Sequence, residues 1–204
     1  MKIEDLNMKS ELPQGWTQTE LSNVGKIITG NTPPKKEADN YGNDYPWVKP
    51  NDLEKRDLVT KTQEYLSTKG AKKARLLEPE TVMVSCIGIL GKVGFAGTKL
   101  ATNQQINSVT FDKRLVLPKY GFFYFKTLSQ WMYKNASATT VSIINKERFS
   151  HAPFLLPPLN EQKRIVAKLD KLLGKVNDSQ ERLEKIPTIL KRFRRSVLAA
   201  ACSG

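Results

Sequence analysis

The C-terminal part of the chain carries an apolar repeat whose spacing alternates between four and three residues. Its ten positions, which we call the seam, include one polar residue and are Ile165, Leu169, Leu172, Val176, Ser179, Leu183, Ile186, Leu190, Phe193 and Val197. This alternation is the heptad pattern of a helix that packs in a coiled coil. A seam this long exceeds the apolar face that a helix usually packs against the domain of its own chain. We therefore predict a partner helix rather than a single amphipathic helix covering the globular part.

Prolines set the expected limits of this helix. The prolines of residues 153–158 exclude a helix before Leu159, Asn160 is a suitable N-cap, and Glu161 lies in the first turn, where the helix dipole favours a carboxylate. Pro187 falls inside the repeat and lacks an N–H group. It predicts that a first helix of about 25 residues ends or kinks just before it, and that a second helical piece follows.

The charge balance favours a polyanionic partner. Lysine and arginine outnumber aspartate and glutamate by 33 to 20, which gives a net charge of +13 over 204 residues. Such a surplus indicates nucleic acid before membrane, and ordinary solubility charge is the alternative. The tightest basic cluster, residues 69–75, is either a phosphate-binding patch or a solvated face.

Several classes of protein are excluded by composition. Cys86, Cys202 and His151 are too few and too scattered to hold zinc or to build a disulfide scaffold. No apolar run approaches the roughly 18 residues of a membrane span. The acidic N-terminal residues 1–12 resemble neither a signal peptide nor a transit peptide, so we expect a cytoplasmic protein with no membrane partner.

The residues before the helix predict a mixed fold. Residues 12–32 indicate a short strand or a turn of helix, and the Pro-, Gly- and Asn-rich residues 33–52 indicate loops. A β-rich run followed by glycines at every third position predicts a hairpin over residues 81–97, and residues 109–111 a further strand. Apolar spacing over residues 121–134 predicts a helix facing the core.

Catalytic motifs are incomplete. Gly88 to Lys92 resembles a phosphate loop but is too short and lacks the following Ser or Thr, so we interpret its glycines as turn residues. The Pro-Pro pairs lack both flanks of a methyltransferase tetrad, and Glu161-Gln-Lys163 has no partner carboxylate of the kind a nuclease needs. His151 has no activated Ser or Cys beside it and is interpreted as a domain-edge histidine. The pattern indicates a binding protein without chemistry of its own.

Several stretches together resemble one family, the specificity subunits of type I restriction-modification systems. Leu12-Pro-Gln-Gly15-Trp16, Gly30-Asn-Thr32-Pro33-Pro34, Cys86-Ile-Gly88 through Gly91-Lys92-Val93-Gly94, and Ala101-Thr102-Asn103-Gln104-Gln105-Ile106-Asn107 are similar to its target-recognition domain. Leu156-Pro-Pro-Leu-Asn-Glu161-Gln162-Lys163-Arg164-Ile165 and Leu190-Lys-Arg-Phe-Arg194-Arg-Ser-Val-Leu198-Ala-Ala-Ala-Cys-Ser203-Gly204 resemble its conserved helical spacer.

The resemblance implies an organisation. Residues 1–158 would form an α+β (mixed α/β) target-recognition domain, and residues 159–204 a spacer helix that forms an antiparallel coiled coil. Family members usually carry two of each, so this chain is either a natural half-length protein or the N-terminal half of a longer one. A homodimer through the seam would restore the antiparallel pair with two-fold symmetry. It would read an interrupted palindrome, one half-site for each recognition domain.

The resemblance also implies roles. For DNA we favour basic and amide side chains in the loop-rich or basic stretches, namely Lys35, Lys36, Lys49, Asn51, Lys69, Lys72, Lys73 and Arg75. Asn103 and Gln104-Gln105 match the family framework and are interpreted as structural amides. Methyltransferase subunits would dock on Glu161, Gln162 and Arg164, and restriction subunits would join through them. Those partners would bring S-adenosylmethionine, ATP and Mg²⁺ for adenine-N6 methylation and cleavage, with no cofactor or metal on this non-catalytic chain.

Two other readings stay open at this point. The first is a stand-alone DNA-binding regulator that dimerises by its coiled coil and recruits no enzyme. The second is a nuclease whose site does not follow the usual pattern.

Overall fold

A computed structural model describes residues 12–53, 57–137 and 140–202, and these form a mixed α+β unit followed by a long helix. The strands are β1 Thr17–Glu20, β2 Gly25–Thr29, β3 Tyr41–Val48, β4 Leu58–Val59, β5 Glu64–Leu66, β6 Leu76–Leu77, β7 Val82–Ser85, β8 Val93–Ala96, β9 Leu100–Thr102, β10 Ile106–Phe111 and β11 Pro153–Leu156. The helices are α1 Thr68–Lys73, α2 Pro118–Phe125, α3 Ser129–Lys134, α4 Lys146–Ser150 and α5 Leu159–Cys202. The predicted fold class is confirmed.

The strands form three sheets. The orders are β1-β11, β2-β10-β7-β8-β4 and β5-β3-β9-β6. The two larger sheets share a core, because one cluster of buried side chains takes members from both of them: Val48, Leu53, Val59, Leu77, Met83, Ala96, Leu100 and Ile106. Burying this apolar surface is the main favourable contribution to folding of the unit.

One edge of the five-stranded sheet gathers several turns. Thr29 at the end of β2 pairs with Asn107, while Ile106 at the start of β10 pairs with Ser85 at the end of β7. The β7–β8 turn follows directly, since Val84 pairs with Val93. We call this edge the turn edge. It is where the chain leaves β2, enters β10 and reverses between β7 and β8.

The predicted hairpin over residues 81–97 is confirmed as β7 and β8. The predicted helix over residues 121–134 is present as two short helices, α2 and α3. Its apolar positions are buried as expected: Phe122, Phe125, Leu128 and Met132. These rings and side chains therefore belong to the core rather than to a base-stacking surface.

The loop prediction for residues 33–52 is wrong over β3. This eight-residue strand contains Pro46, although proline usually interrupts the pairing of a strand. The Trp47 N–H donates to Thr62 Oγ1 on the β5 side (3.2 Å), so the adjacent Pro46 nitrogen faces β9. Pairing with β9 begins only at Trp47, so the missing N–H leaves no gap in that ladder.

Helix α5 differs from the prediction at two points. It begins at Leu159, with the Pro158 carbonyl accepting from Glu161 N (2.9 Å), so Asn160 is not the N-cap but lies inside the helix. It runs through Pro187 without ending. A proline removes one backbone hydrogen bond, and a helix of 44 residues retains the bonds of the turns on either side.

The chain divides into two compact units, the first ending at Lys163 and the second beginning at Arg164. The division lies about one helical turn beyond the predicted boundary after residue 158. Within the part of the chain that the structure describes, the helices are too short or too polar to cross a membrane.

Candidate nucleic-acid interface

The basic stretch after α1 is held against the end of β2 by one asparagine. Asn31 Nδ2 donates to the Lys73 carbonyl (2.8 Å), and its Oδ1 accepts from Arg75 N (3.0 Å). The Arg75 guanidinium in turn donates to the Thr29 carbonyl (2.7 Å). These bonds bring the loop after β2 and the basic stretch together, although more than forty residues separate them in sequence.

A side-chain N-cap and a close backbone contact at a glycine fix the position of helix α1. Ser67 is its N-cap, with its hydroxyl accepting from Gly70 N (3.1 Å), and Ser67 N donates to the Asn40 carbonyl (3.0 Å). A Cβ on Gly70 would lie 1.9 Å from that same carbonyl oxygen. Only glycine allows the helix to sit this close to residues 38–40.

Two ion pairs join the same loop and helix. Lys69 Nζ lies 3.3 Å from Asp39 Oδ2, and Lys73 pairs with Glu37. The hydrogen bond from Lys73 holds the pKa of Glu37 below its usual range, with the Lys73 charge adding to it. All four side chains are more than a third exposed, so these pairs orient the lysines more than they stabilise the fold.

Six of the eight predicted DNA-binding residues lie on this one surface, which we call the α1 basic surface: Lys35, Lys36, Lys69, Lys72, Lys73 and Arg75. Lys35, Lys36 and Lys72 are exposed and have no ion-pair partner among the described residues.

Lys49 and Asn51 lie elsewhere. They follow the C-terminal end of β3, whereas α1 adjoins its start, so about 23 Å of extended strand separates the two places. Lys49 pairs with Glu64, and its ammonium lies 4.8 Å from the centre of the Trp47 ring. Asn51 is exposed in the turn after β3. The structure therefore does not bring these two residues to the α1 basic surface.

The family-like amides build the turn between β9 and β10. Asn103 Nδ2 donates to Gln105 Oε1 (2.8 Å), and Gln105 N donates to Asn103 Oδ1 (3.1 Å). A Cβ on Gly30 would lie 2.2 Å from the Asn103 carbonyl, so this turn packs directly on the end of β2. Asn103 and Gln105 are structural amides, as interpreted from the sequence.

The structure corrects the predicted docking role of Gln162. Its side chain is fully buried, and all its hydrogen-bonding atoms are used within the globular unit. Oε1 accepts from Leu117 N (2.8 Å), and Nε2 donates to the carbonyls of Leu115 (2.8 Å) and Pro157 (2.9 Å). A partner subunit cannot reach this amide. Glu161 is half-buried and Arg164 exposed, and their docking role stays a prediction.

The seam residues of the second unit are largely uncovered. Leu183 and Phe193 are each 64% exposed, and the other apolar seam positions from Leu172 onward are between 44% and 58% exposed. These are large fractions for apolar side chains repeated along one face.

The remaining titratable side chain to consider is that of His151. His151 Nδ1 lies 2.8 Å from Glu20 Oε2 at the exposed surface. Among residues 12–53, 57–137 and 140–202, no group of three or more His, Cys, Asp or Glu side chains is placed to hold a metal ion.

Sequence reasoning gave no role to Ile89 in the β7–β8 turn. It is 59% exposed, between Gly88 and Gly91, which both have left-handed φ angles of +81° and +79°. An apolar residue between two glycines in a turn is the signal that could have drawn attention to it.

A basic, loop-rich domain followed by a helix with a heptad repeat has the features expected of a nucleic-acid-recognition protein. The type I restriction modification DNA specificity domain profile matches residues 13–188. The chain therefore belongs to the type I restriction-modification specificity family.

Individual relatives agree. The chain is 31% identical over 209 residues to the StySPI specificity subunit of Salmonella potsdam, covering 96% of this chain and 44% of that subunit. It is 30% identical over 193 residues to the HindI specificity subunit of Haemophilus influenzae, covering 89% of this chain and 41% of that one. The chain thus spans less than half the length of these relatives and corresponds to one half of such a subunit.

Solved structures share the fold. A chain from a study of complex assembly and conformational transition in a type I restriction-modification system superposes with a TM-score of 0.74 at 24% identity, covering 91% of this chain and 45% of that chain. The specificity subunit from Thermoanaerobacter tengcongensis superposes with a TM-score of 0.64 at 23% identity, covering 83% and 40%.

Proposed function

We propose that this chain is the sequence-specific DNA-recognition subunit, or one half of it, of a type I restriction-modification system in the cytoplasm of a bacterium or archaeon. The observation that carries the proposal is the α1 basic surface, built on a domain that belongs to the specificity family. One globular unit would read one half-site of the DNA.

DNA contacts divide into two kinds. Lys35, Lys36 and Lys72, which have no ion-pair partner in the described part of the chain, would neutralise phosphates and release counterions. Lys69, Lys73 and Arg75 would support them from the same surface. Phosphate contacts place the domain on the duplex, and side chains on the turns would read base edges in the major groove.

The seam would pair with the seam of a second copy. In an antiparallel coiled coil, each a position faces a d position of the partner. Facing Ser179 with Leu183 also faces Val176 with Ile186 and, at the ends, Ile165 with Val197. A shift of one heptad in either direction leaves seam positions at one end without a partner, so we propose this register.

This dimer would place two recognition units with two-fold symmetry, which fits an interrupted palindrome. Methyltransferase subunits would dock near Glu161 and Arg164, and restriction subunits would join through them. The partners would supply S-adenosylmethionine, ATP and Mg²⁺ for adenine-N6 methylation and cleavage, and this chain would supply recognition and no catalytic group.

The test measures mass by light scattering, for the chain alone and mixed with the methyltransferase subunit of the same system. The expected result is a dimer that enters a larger complex, and that complex should methylate adenine in a duplex that the chain selects from a randomised pool. A dimer that selects a duplex but never joins the methyltransferase would instead be a stand-alone regulator. Cleavage by the chain with Mg²⁺ alone would identify a nuclease.

A further inference from the structure

The β7–β8 turn presents one apolar side chain on a rigid frame. The buried Ser85 hydroxyl donates to the Ile89 carbonyl (2.6 Å) and accepts from Lys92 N (2.9 Å). Gly91 N donates to the Ser85 carbonyl (3.0 Å). With both flanking glycines in the left-handed region, which glycine adopts readily, the turn is closed by its own hydrogen bonds and Ile89 lies at its tip.

Neighbouring segments brace this tip. Leu90 N donates to the hydroxyl of Tyr133 (3.2 Å), and Gly88 N donates to the carbonyl of Ser142 (3.0 Å). Tyr133 and Val141 are themselves 51% and 45% exposed. The turn that carries Ile89 is therefore fixed from two sides by segments that also expose apolar side chains.

The tip lies on the turn edge. The hydrogen bond from Arg75 to the Thr29 carbonyl, which anchors the α1 basic surface, lies on the same edge. β2, which ends at the Thr29 carbonyl bound by Arg75, and β7, which ends at Ser85, flank the same strand β10. Strands lie about 4.8 Å apart, so these two strand ends are about 10 Å from each other across β10. That distance is similar to the roughly 12 Å width of a major groove, so both features could face the same stretch of duplex.

The charge around the tip suits DNA better than an acidic or neutral protein surface. Residues 81–146 contain eight lysines and arginines and a single acidic residue, Asp112. Asp112 lies beyond the far end of β10 and pairs with Arg114. Lys134, directly after Tyr133, is exposed. The sequence stretch that forms the tip and its braces is therefore basic, which suits a partner that carries phosphates beside apolar base edges.

We propose that Ile89 reads the 5-methyl group of a thymine in the major groove, and that the exposed turn between β7 and β8 presents it there. An isoleucine side chain neither donates nor accepts hydrogen bonds, and the thymine methyl is the apolar feature of the base edges in that groove. This proposal rests on the proposed function in DNA recognition.

The experiment first selects duplexes from a pool with a randomised interior, using the wild-type chain with its methyltransferase subunit. Affinity for the selected duplex is then measured for the wild type and for Ile89→Ala, with each thymine in turn replaced by uracil, which lacks the methyl group. We expect one thymine at which uracil weakens wild-type binding about fourfold, the contribution of one buried methyl group. At that position Ile89→Ala should bind thymine and uracil equally.

A matched control is Leu58→Ala, which shortens another apolar side chain of similar exposure (52%) on β4, beside the far end of β8. It should keep the full response to uracil. The salt dependence should not change in Ile89→Ala, because no phosphate contact is lost. A loss of affinity that is equal for thymine and uracil at every position, or no loss at all, overturns the role of Ile89. Failure of the wild type to select any duplex would instead overturn the proposed function.

Discussion

The side-chain oxygen of Gln162 accepts a hydrogen bond from the backbone N–H of Leu117 at 2.8 Å, across 45 residues of sequence. The same amide donates to the carbonyls of Leu115 and Pro157. One buried side chain therefore binds three backbone groups and joins the first turn of α5 to the segment before α2. Only an amide supplies one acceptor and two donors in this arrangement.

Replacing Gln162 with alanine should destabilise the globular unit by about 2–4 kcal/mol, because three buried or partly buried backbone groups lose their partner. The measurement is the urea midpoint of unfolding, followed by tryptophan fluorescence. Gln180→Ala, at an exposed position of the same helix, should leave the midpoint unchanged. A change below about 0.5 kcal/mol for Gln162→Ala would show that the buried amide contributes little to stability.

Replacing Lys72 with glutamine should lower the slope of log affinity against log salt by about 0.9 for duplex DNA, the value of one phosphate contact. Lys113→Gln is the matched control, since it removes the same charge from an exposed lysine that pairs with Glu80 beyond the other end of β10. Equal changes in the two variants would indicate a general charge effect and would argue against the α1 basic surface.

The proposed register of the seam predicts a specific cross-link. In a Cys202→Ser background, a chain with both Leu172→Cys and Leu190→Cys should oxidise to a covalent dimer, whereas Leu172→Cys alone should stay monomeric on a denaturing gel. Burial raises the pKa of Cys86 to about 12, so that thiol stays protonated and unreactive. Dimers from Leu172→Cys alone would indicate a parallel pair.

A charge in the seam should separate the two copies. Leu172→Glu places a carboxylate in the proposed interface, where it would lose its hydration without a partner, and the mass measured by light scattering should fall to that of a monomer. Leu198→Glu, at an apolar position outside the seam that is 65% exposed, should remain dimeric. A dimer of unchanged mass in Leu172→Glu would rule out the seam as the interface.

The globular unit should lose stability in alkaline solution. Burial raises the pKa of Tyr124 to about 12 and holds that of Tyr120 well above its ordinary value near 10. Above about pH 10 the unfolded chain releases these protons while the folded chain keeps them. The free energy of unfolding therefore falls as pH rises, by up to about 1.4 kcal/mol per pH unit for each tyrosine, and is unaffected below about pH 9.

Urea unfolding at a series of pH values from 8 to about 11.5 measures this slope, and absorbance at 295 nm follows tyrosine ionisation. Tyr124→Phe removes one of the two groups and should make the alkaline slope shallower. An identical slope in Tyr124→Phe would show that the buried tyrosines are not the cause.

The local sequence pattern correctly predicted the segments whose structure depends mainly on residues close to one another in sequence. The seam repeats over many turns, and the hairpin glycines mark a reversal whose strands pair with each other, so both could be predicted without long-range information. The structure contradicts the prediction that Pro46 lies in a loop and that the helix ends at Pro187, because the effect of a proline depends on residues distant in sequence. A proline removes one donor, and whether that loss matters depends on which neighbouring strand or turn would have accepted the bond.

The sequence by itself determined the division into a mixed domain and a heptad helix, the basic character of the chain and its family. Tertiary structure alone decided that Gln162 is an internal anchor, that Lys49 lies at the opposite end of β3 from α1, and that Ile89 shares an edge with the anchor of the basic surface. The physical reason is that sheet pairing and long-range side-chain hydrogen bonds bring together residues far apart in sequence, as the bond between Asn31 and Arg75 does. A residue's burial and neighbours, which decide whether it can meet a partner, exist only once those pairs have formed.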